Sequence, residues 1–366
     1  MVDLRMRQML LKIHLWIGLI AGSLLLLIAL SGSLLVFRAD IYSLLHPAQF
    51  KIEPLAKKRP VDDWVAAAQV ATPDKILARI TLPETATDIA VVHMQVPGAR
   101  NLKDAKLESV HIDPYHARVL GTRNPDDDPM WRVQDFHYAF FLGDIGLKFN
   151  GLIAITLTLL ALSGPVLWWP GWSRLGTGFR VRAEPARAKW RDLHALTGFF
   201  AAAALTLIGL TGTYYAYRDT TTAVVTLVSG NAALIPPRVA PSDVGTALPL
   251  QTLIDRARRQ LPEVVFDEYR PARGPGAAVS ISYREPGQWV FGRNRIFLNP
   301  ATGTLLRTDR YEELGIGAKL LANMQPWHFG NFGGRITQWL WVTFGLVPAF
   351  LFGSGLWMWW RKRIRS

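Results

Sequence analysis

Four of the eight histidines stand at positions that repeat along the chain. A shift of 180 residues superposes His14 on His194, Gly18 on Gly198, Gly32 on Gly212 and Arg38 on Arg218, and sets Ser31 and Ser33 on Thr211 and Thr213. A shift of 191 superposes His137 on His328, Gly143 on Gly334, Ser163 on Ser354, Gly164 on Gly355 and Trp168–Trp169 on Trp359–Trp360. Two imidazoles facing each other across a two-fold axis can supply both axial ligands of one flat macrocycle. Two such pairs would hold two haems, one at each level of a membrane. Gly18 and Gly198 follow the first pair by one helical turn, where a missing side chain lets a flat ring approach the backbone; helix packing is the competing account of these glycines. The chain has no Cys. Disulfides, iron–sulfur clusters, thiol catalysis and covalently tethered c-type haem are therefore excluded, and the expected cofactors are two non-covalent haem b groups. Zinc fits less well: no HExxH-type pair is present, and no acid lies three or four residues after His14 or His194.

The elements that must position these side chains are membrane helices. Of the 366 residues, 50% are hydrophobic and only 19% charged. The apolar residues concentrate in four runs, 13–37, 149–169, 193–217 and 336–360. Each can cross a hydrocarbon core of about 30 Å, which takes about 20 residues. Several of the 14 Trp stand at the ends of these runs, as an interfacial belt requires. The first run is longer than a signal-peptide core of about 7–15 residues, and no small-x-small cleavage pattern follows it, so it is expected to be an uncleaved anchor.

Basic residues set the orientation. Arg5, Arg7 and Lys12 precede the first run. Arg174, Arg180, Arg182, Arg187, Lys189 and Arg191 lie between the second and third, and Arg361, Lys362, Arg363 and Arg365 follow the fourth. The only acids in these short segments are Asp3, Glu184 and Asp192. Positive residues mark the cytoplasmic side, so both termini and the middle loop are expected there, in a bacterial inner membrane, with the two long loops in the periplasm. The net charge of +13 is mostly this topology signal; the basic residues form no single patch on a soluble domain, which argues against nucleic acid.

The expected fold is an all-α membrane four-helix bundle built from a duplicated helix pair, with two small periplasmic α+β modules. The segments are an N-terminal stretch and first span (1–37), module 1 (38–136), the second span (137–169), a cytoplasmic loop (170–190), the third span (191–217), module 2 (218–327), and the fourth span with its basic tail (328–366). Each module opens with a helix-like stretch, 64–70 or 250–261. Strand-like segments follow at 76–82, 89–95 and 107–112, and at 264–269, 277–283 and 294–298. Asp113-Pro114 and Asn299-Pro300 are turn starters after the third strand of each. His46, His93, His111 and His116 lack repeat partners and are expected at the module surface. His137 and His328 stand about a dozen and about eight residues before their apolar cores, so they reach the outer interface unless the helices start early with 138–141 and 329–332 buried.

HLWIGLIAGSLLLLIALSGSLLVFR and LHALTGFF…LTGTYYAYR resemble the first and third helices of the PepSY-associated transmembrane helix family. FHYAFFLGDIG…LSGPVLWWPGW and WHFGNFGGR…GSGLWMWWRKR resemble its second and fourth. The resemblance covers nearly the whole chain, PepSY-like outer modules included. Ser replaces the usual Thr of the family's Thr-Gly pair in Ser31-Gly32, Ser163-Gly164 and Ser354-Gly355, and keeps a hydroxyl that can bond back into its helix. The family includes iron-regulated inner-membrane proteins and dihaem ferric-siderophore reductases. The resemblance thus implies an oxidoreductase that reduces a ferric siderophore, or another Fe(III) chelate, in the periplasm.

On this reading His14/His194 hold the inner haem and His137/His328 the outer one. Trp131, Phe136 and Trp327 flank the outer pair as an aromatic docking surface, or else belong to the interfacial belt. No carboxylate pair stands out as catalytic. The GxG-like segment Gly315-Ile316-Gly317 lacks a third Gly, so the electron donor is expected to be separate, a quinol or a cytoplasmic reductase. Two other readings compete. A non-enzymatic, membrane-anchored PepSY binding or peptidase-regulating protein leaves the paired His unexplained. A transporter sits poorly with spans that carry no Asp, Glu, Lys or Arg near the midplane.

Overall fold

The computed structural model describes residues 4–98, 106–230, 235–288 and 294–364; Asp3 and Arg365 lie outside them. In chain order the helices and strands are α1 (Leu4–Val36), α2 (Arg38–Leu45), α3 (Val61–Ala71), β1 (Ile76–Thr81), β2 (Ala90–Gln95), β3 (Glu108–Asp113), β4 (Arg118–Arg123), α4 (Pro129–Ala139) and α5 (Gly143–Trp168). They continue with α6 (Leu175–Gly178), α7 (Ala186–Ala216), α8 (Arg218–Ser229), α9 (Leu250–Gln260), β5 (Val265–Arg270), β6 (Val279–Arg284), β7 (Asn294–Leu298), β8 (Leu305–Asp309), α10 (Ile316–Phe329) and α11 (Gly334–Arg363). Two compact units result. A helical unit comprises the chain up to Arg38, Val133–Ala223 and the chain from Met324; a sheet unit comprises Ala39–Arg132 and Val224–Asn323.

In the helical unit, α1, α5, α7 and α11 are long and apolar enough to cross a membrane. They close a ring in which α1 touches α5 and α11, and α7 touches α5 and α11. The two helices that carry His14 and His194 therefore lie diagonally across the ring. Trp16, Ile20, Leu27, Leu159, Phe200 and Leu346 are among the large apolar side chains left exposed, as a lipid-facing surface requires. Hydroxyls in the spans bond back to carbonyls of their own helix, as Ser33 does to Ala29 at 2.9 Å and Thr213 to Gly209 at 2.9 Å, which satisfies them where no water is present.

The segments before α5 and α11 do not extend those helices. α4 ends at Ala139, and Phe140, Phe141 and Gly143 take positive φ of 50°, 63° and 59° before α5 begins. α10 likewise ends at Phe329, with Gly330 and Gly334 at 69° and 65°. His137 and His328 thus stand on short separate helices whose exit turns fold back on the spans.

The sheet unit corrects the expectation of two separate modules. β4-β3-β2-β1-β5-β6-β7-β8 form one antiparallel sheet of eight strands. The halves join where Ile80 pairs with Tyr269 and Thr81 with Glu268. The physical reason is that β1 and β5 are each the open edge of a four-stranded half, and pairing them satisfies both rows of backbone groups. One apolar face is shared: Ile80, Val92, Met94 and Ile112 of one half and Ile281, Tyr283, Ile296 and Leu298 of the other belong to one core. Trp64 and Ala68 of α3 and Leu253, Ile254 and Ala257 of α9 cover that face. Both expected turns form. The Asp113 carboxylate accepts the Tyr115 amide at 2.9 Å, and the Asn299 side-chain oxygen accepts the Ala301 amide at 2.8 Å.

Candidate functional site

A half-buried imidazole needs partners that suit its tautomer, and hydroxyls from neighbouring helices meet all four repeated histidines. On one level, His14 of α1 bonds through Nδ1 to Ser163 Oγ of α5 at 2.7 Å, and His194 of α7 bonds through Nδ1 to Ser354 Oγ of α11 at 2.8 Å. On the other level, His137 bonds through Nδ1 to Ser31 Oγ of α1 at 3.1 Å and to the Ile28 carbonyl at 3.0 Å. His328 bonds through Nδ1 to Thr211 Oγ1 of α7 at 2.9 Å. The His137 and His328 ring centroids are 6.2 Å apart. None of the four Nε2 atoms has a hydrogen-bond partner among the described residues.

Local structure holds the second pair in place. Asn150 of α5 donates to the carbonyls of His137 and Tyr138 at 2.7 and 3.3 Å, satisfying the end of α4. The Tyr215 ring lies 5.2 Å from His328. Gly32 follows Ser31, and a Cβ there would stand 2.7 Å from His137 Cε1, so only glycine lets that ring reach the hydroxyl. Gly212 and Gly355 flank His328 and His194 with less crowding; the nearest ring atom is 3.7 and 3.6 Å from an added Cβ.

Gly18 and Gly198 are not helix-packing glycines. A Cβ at Gly18 would meet nothing within 4 Å, and at Gly198 only Leu351 at 3.8 Å. Gly22 shows the contrast, since a Cβ there would run into the Phe352 ring. Phe136 packs on Phe140 and Phe141 at 5.4 and 5.7 Å, and Trp327 is half-buried on α10. Trp131 belongs to the sheet unit, whereas Phe136 and Trp327 belong to the helical unit.

Of the four unrepeated histidines, His46 and His116 are exposed and His93 is half-buried between Thr81 and Ser109 hydroxyls at 3.2 and 2.9 Å. His111 contradicts the surface expectation: it is 4% exposed, because Tyr42 and Phe50 cover its face of β3. Among the described residues no three His, Asp or Glu side chains gather as a metal cage. The sequence reading placed Ser31, Ser163, Thr211 and Ser354 in the repeat but gave their hydroxyls only a bond into their own helix. Their step-by-step correspondence with the histidines was the available signal.

These features define a bundle of four helices long and apolar enough to span a membrane, with paired, hydroxyl-anchored histidines, and a unit built on an antiparallel sheet. The chain belongs to the family described as the PepSY-associated TM region, whose model matches residues 11–362. A search of curated proteins found no match.

Proposed function

We propose that the protein is an inner-membrane, dihaem b-type electron-transfer protein that reduces a ferric siderophore, or another Fe(III) chelate, in the periplasm and releases Fe(II). The reading takes the helix pair as duplicated and both termini as cytoplasmic. The observation that carries it is the two histidine pairs with every Nδ1 engaged and every Nε2 open.

The residues fit the group. His137 and His328, with ring centroids 6.2 Å apart, would hold one haem through their Nε2 atoms, since two imidazoles that share a metal stand about 6 Å apart. Space beside Gly18 and Gly198 suits a flat ring near the other pair. Haem bound at the two levels supplies one-electron transfer between a separate donor, a quinol or a cytoplasmic reductase, and the external chelate. The chain's part is to hold two imidazoles per level and to keep water out of the span with apolar side chains. Ferric chelates hold Fe(III) far better than Fe(II), so one electron loosens the metal and no carboxylate dyad is required. The sheet unit, far longer than the segments between the other span ends, has enough chain to receive a chelate.

The test is the haem content of the purified protein. About two non-covalent haem b per chain are expected, extractable with acid-acetone. His14→Ala and His194→Ala should deplete the same haem, and His137→Ala and His328→Ala the other, with loss of chelate reduction. Colourless protein from haem-replete cells would leave the membrane-anchored PepSY binding or peptidase-regulating role.

A further inference from the structure

We infer that the hydroxyls of Ser163, Ser354, Ser31 and Thr211 are positioning residues that lock all four imidazoles in the Nδ1–H tautomer, leaving each Nε2 lone pair as the metal ligand. The inference rests on the proposed haem sites.

A hydroxyl has one proton, and here its destination is visible. Ser163 Oγ lies 3.1 Å from the Leu160 carbonyl, and Ser354 Oγ 2.7 Å from that of Phe350. Ser31 Oγ lies 2.9 Å from the Ile28 carbonyl, and Thr211 Oγ1 2.8 Å from that of Leu207. A carbonyl only accepts, so each hydroxyl donates into its own helix and turns a lone pair toward the histidine. Nδ1 must then carry the proton. The opposite tautomer would turn the hydroxyl proton toward Nδ1, break the bond to the carbonyl, and leave an Nε2–H without a partner among the described residues. The Nδ1–H arrangement thus keeps one more hydrogen bond at every site. His137 adds an independent constraint, because its Nδ1 also faces the Ile28 carbonyl at 3.0 Å. A bond from the distal nitrogen to a fixed acceptor both aims a metal-binding imidazole and raises its basicity. The [Ser/Thr]-Gly dipeptide therefore combines an acceptor with, at Gly32, the clearance that the ring needs.

The test compares Ser163→Ala and Ser163→Thr, and Ser31→Ala and Ser31→Thr, in the haem-loaded full chain. Each Ala variant should release its own haem to apomyoglobin about tenfold faster. It should also raise that haem's midpoint potential and change its low-spin electron paramagnetic resonance spectrum, leaving the other haem as in the wild type. The Thr variants should restore all three. Ala variants with wild-type release, potential and spectrum would overturn the inference while leaving the haem reading intact; so would Ala and Thr variants that change alike. A wild-type chain that binds no haem would overturn the functional reading and this inference with it.

Discussion

Single glycines separate open space from packing space. Gly18 and Gly22 lie one turn apart on α1, yet an added side chain meets open space at the first and Phe352 at the second. On the proposed haem reading, Gly18→Leu should leave thermal unfolding of the haem-free, detergent-solubilised protein unchanged while abolishing the binding of one haem. Gly22→Leu should destabilise the bundle by about 1–3 kcal/mol, the cost of overpacking. Equal stability losses in the two variants would mean that Gly18 is a packing residue. His111 makes a second prediction. Burial, reinforced by the charges of Arg123 and His46, pushes its pKa down to about 4, whereas an unfolded chain titrates near 6.5. Between those values the unfolded state binds more protons, so stability rises with pH and is lost as pH falls from about 6.5 toward about 4. The loss should approach about 3 kcal/mol at most. Hydrogen-exchange protection of β3, corrected for intrinsic rates, should decline across that window, and His111→Phe should flatten the slope.

At the scale of elements, α3 and α9 start in a way that no single segment can supply. Each follows a proline, Pro60 or Pro249, which offers no side-chain acceptor to the first turn. Each is capped by the other. The Asp62 carboxylate accepts the Leu250 and Gln251 amides at 2.8 and 2.9 Å, and the Gln251 side-chain oxygen accepts the Val61 amide at 3.1 Å. The Asp62 charge also sits at the positive end of α9. Asp62→Ala should cost about 1–2 kcal/mol and Gln251→Ala less, by analogy with ordinary N-caps. The double variant should cost less than the sum, because the two caps hold the same two helix starts against each other. Exchange of the α9 amides measures this; strict additivity would mean that the caps act independently. The reciprocity ties the halves of the sheet unit together at the helices, as β1 and β5 do at the strands.

At the scale of the whole molecule, both segments that form the sheet unit follow the C-terminal ends of α1 and α7, which run in the same sense through the chain's alternation of spans. On the proposed orientation, reporter fusions after Arg38 and after Arg218 should give a periplasmic signal, and fusions near Arg182 a cytoplasmic one. A cytoplasmic signal from either long segment would reverse the orientation and exchange the inner and outer histidine pairs. Cation–π contacts of Arg361 with Trp357 and of Arg363 with Trp359, at 5.5 and 4.5 Å, mark one end of α11, where basic side chains and aromatic rings anchor a span at an interface.

The sequence by itself determined the four spans, because a run of about 20 apolar residues is a local property that the bilayer reads directly. It also determined most strands of the two long segments and both Asx turns, where alternation and a turn residue act within a few positions. The repeated spacing singled out His14, His194, His137 and His328 without any knowledge of their surroundings. Only the tertiary structure decided what those histidines touch. Ser163 lies 149 residues from His14, and Thr211 lies 117 from His328, so no local pattern reports the pairing of hydroxyl with imidazole. The sheet seam is non-local in the same way. Edge strands carry no mark that says which partner will cover them, and β1 finds β5 across 189 residues, the separation of Arg79 from the Glu268 it pairs with at 2.7 Å. His111 reads as a surface residue until Tyr42 and Phe50 close over it. Periodicity and composition act along the chain, while an imidazole's hydroxyl partner, a shared sheet and a buried histidine each depend on which distant segments meet.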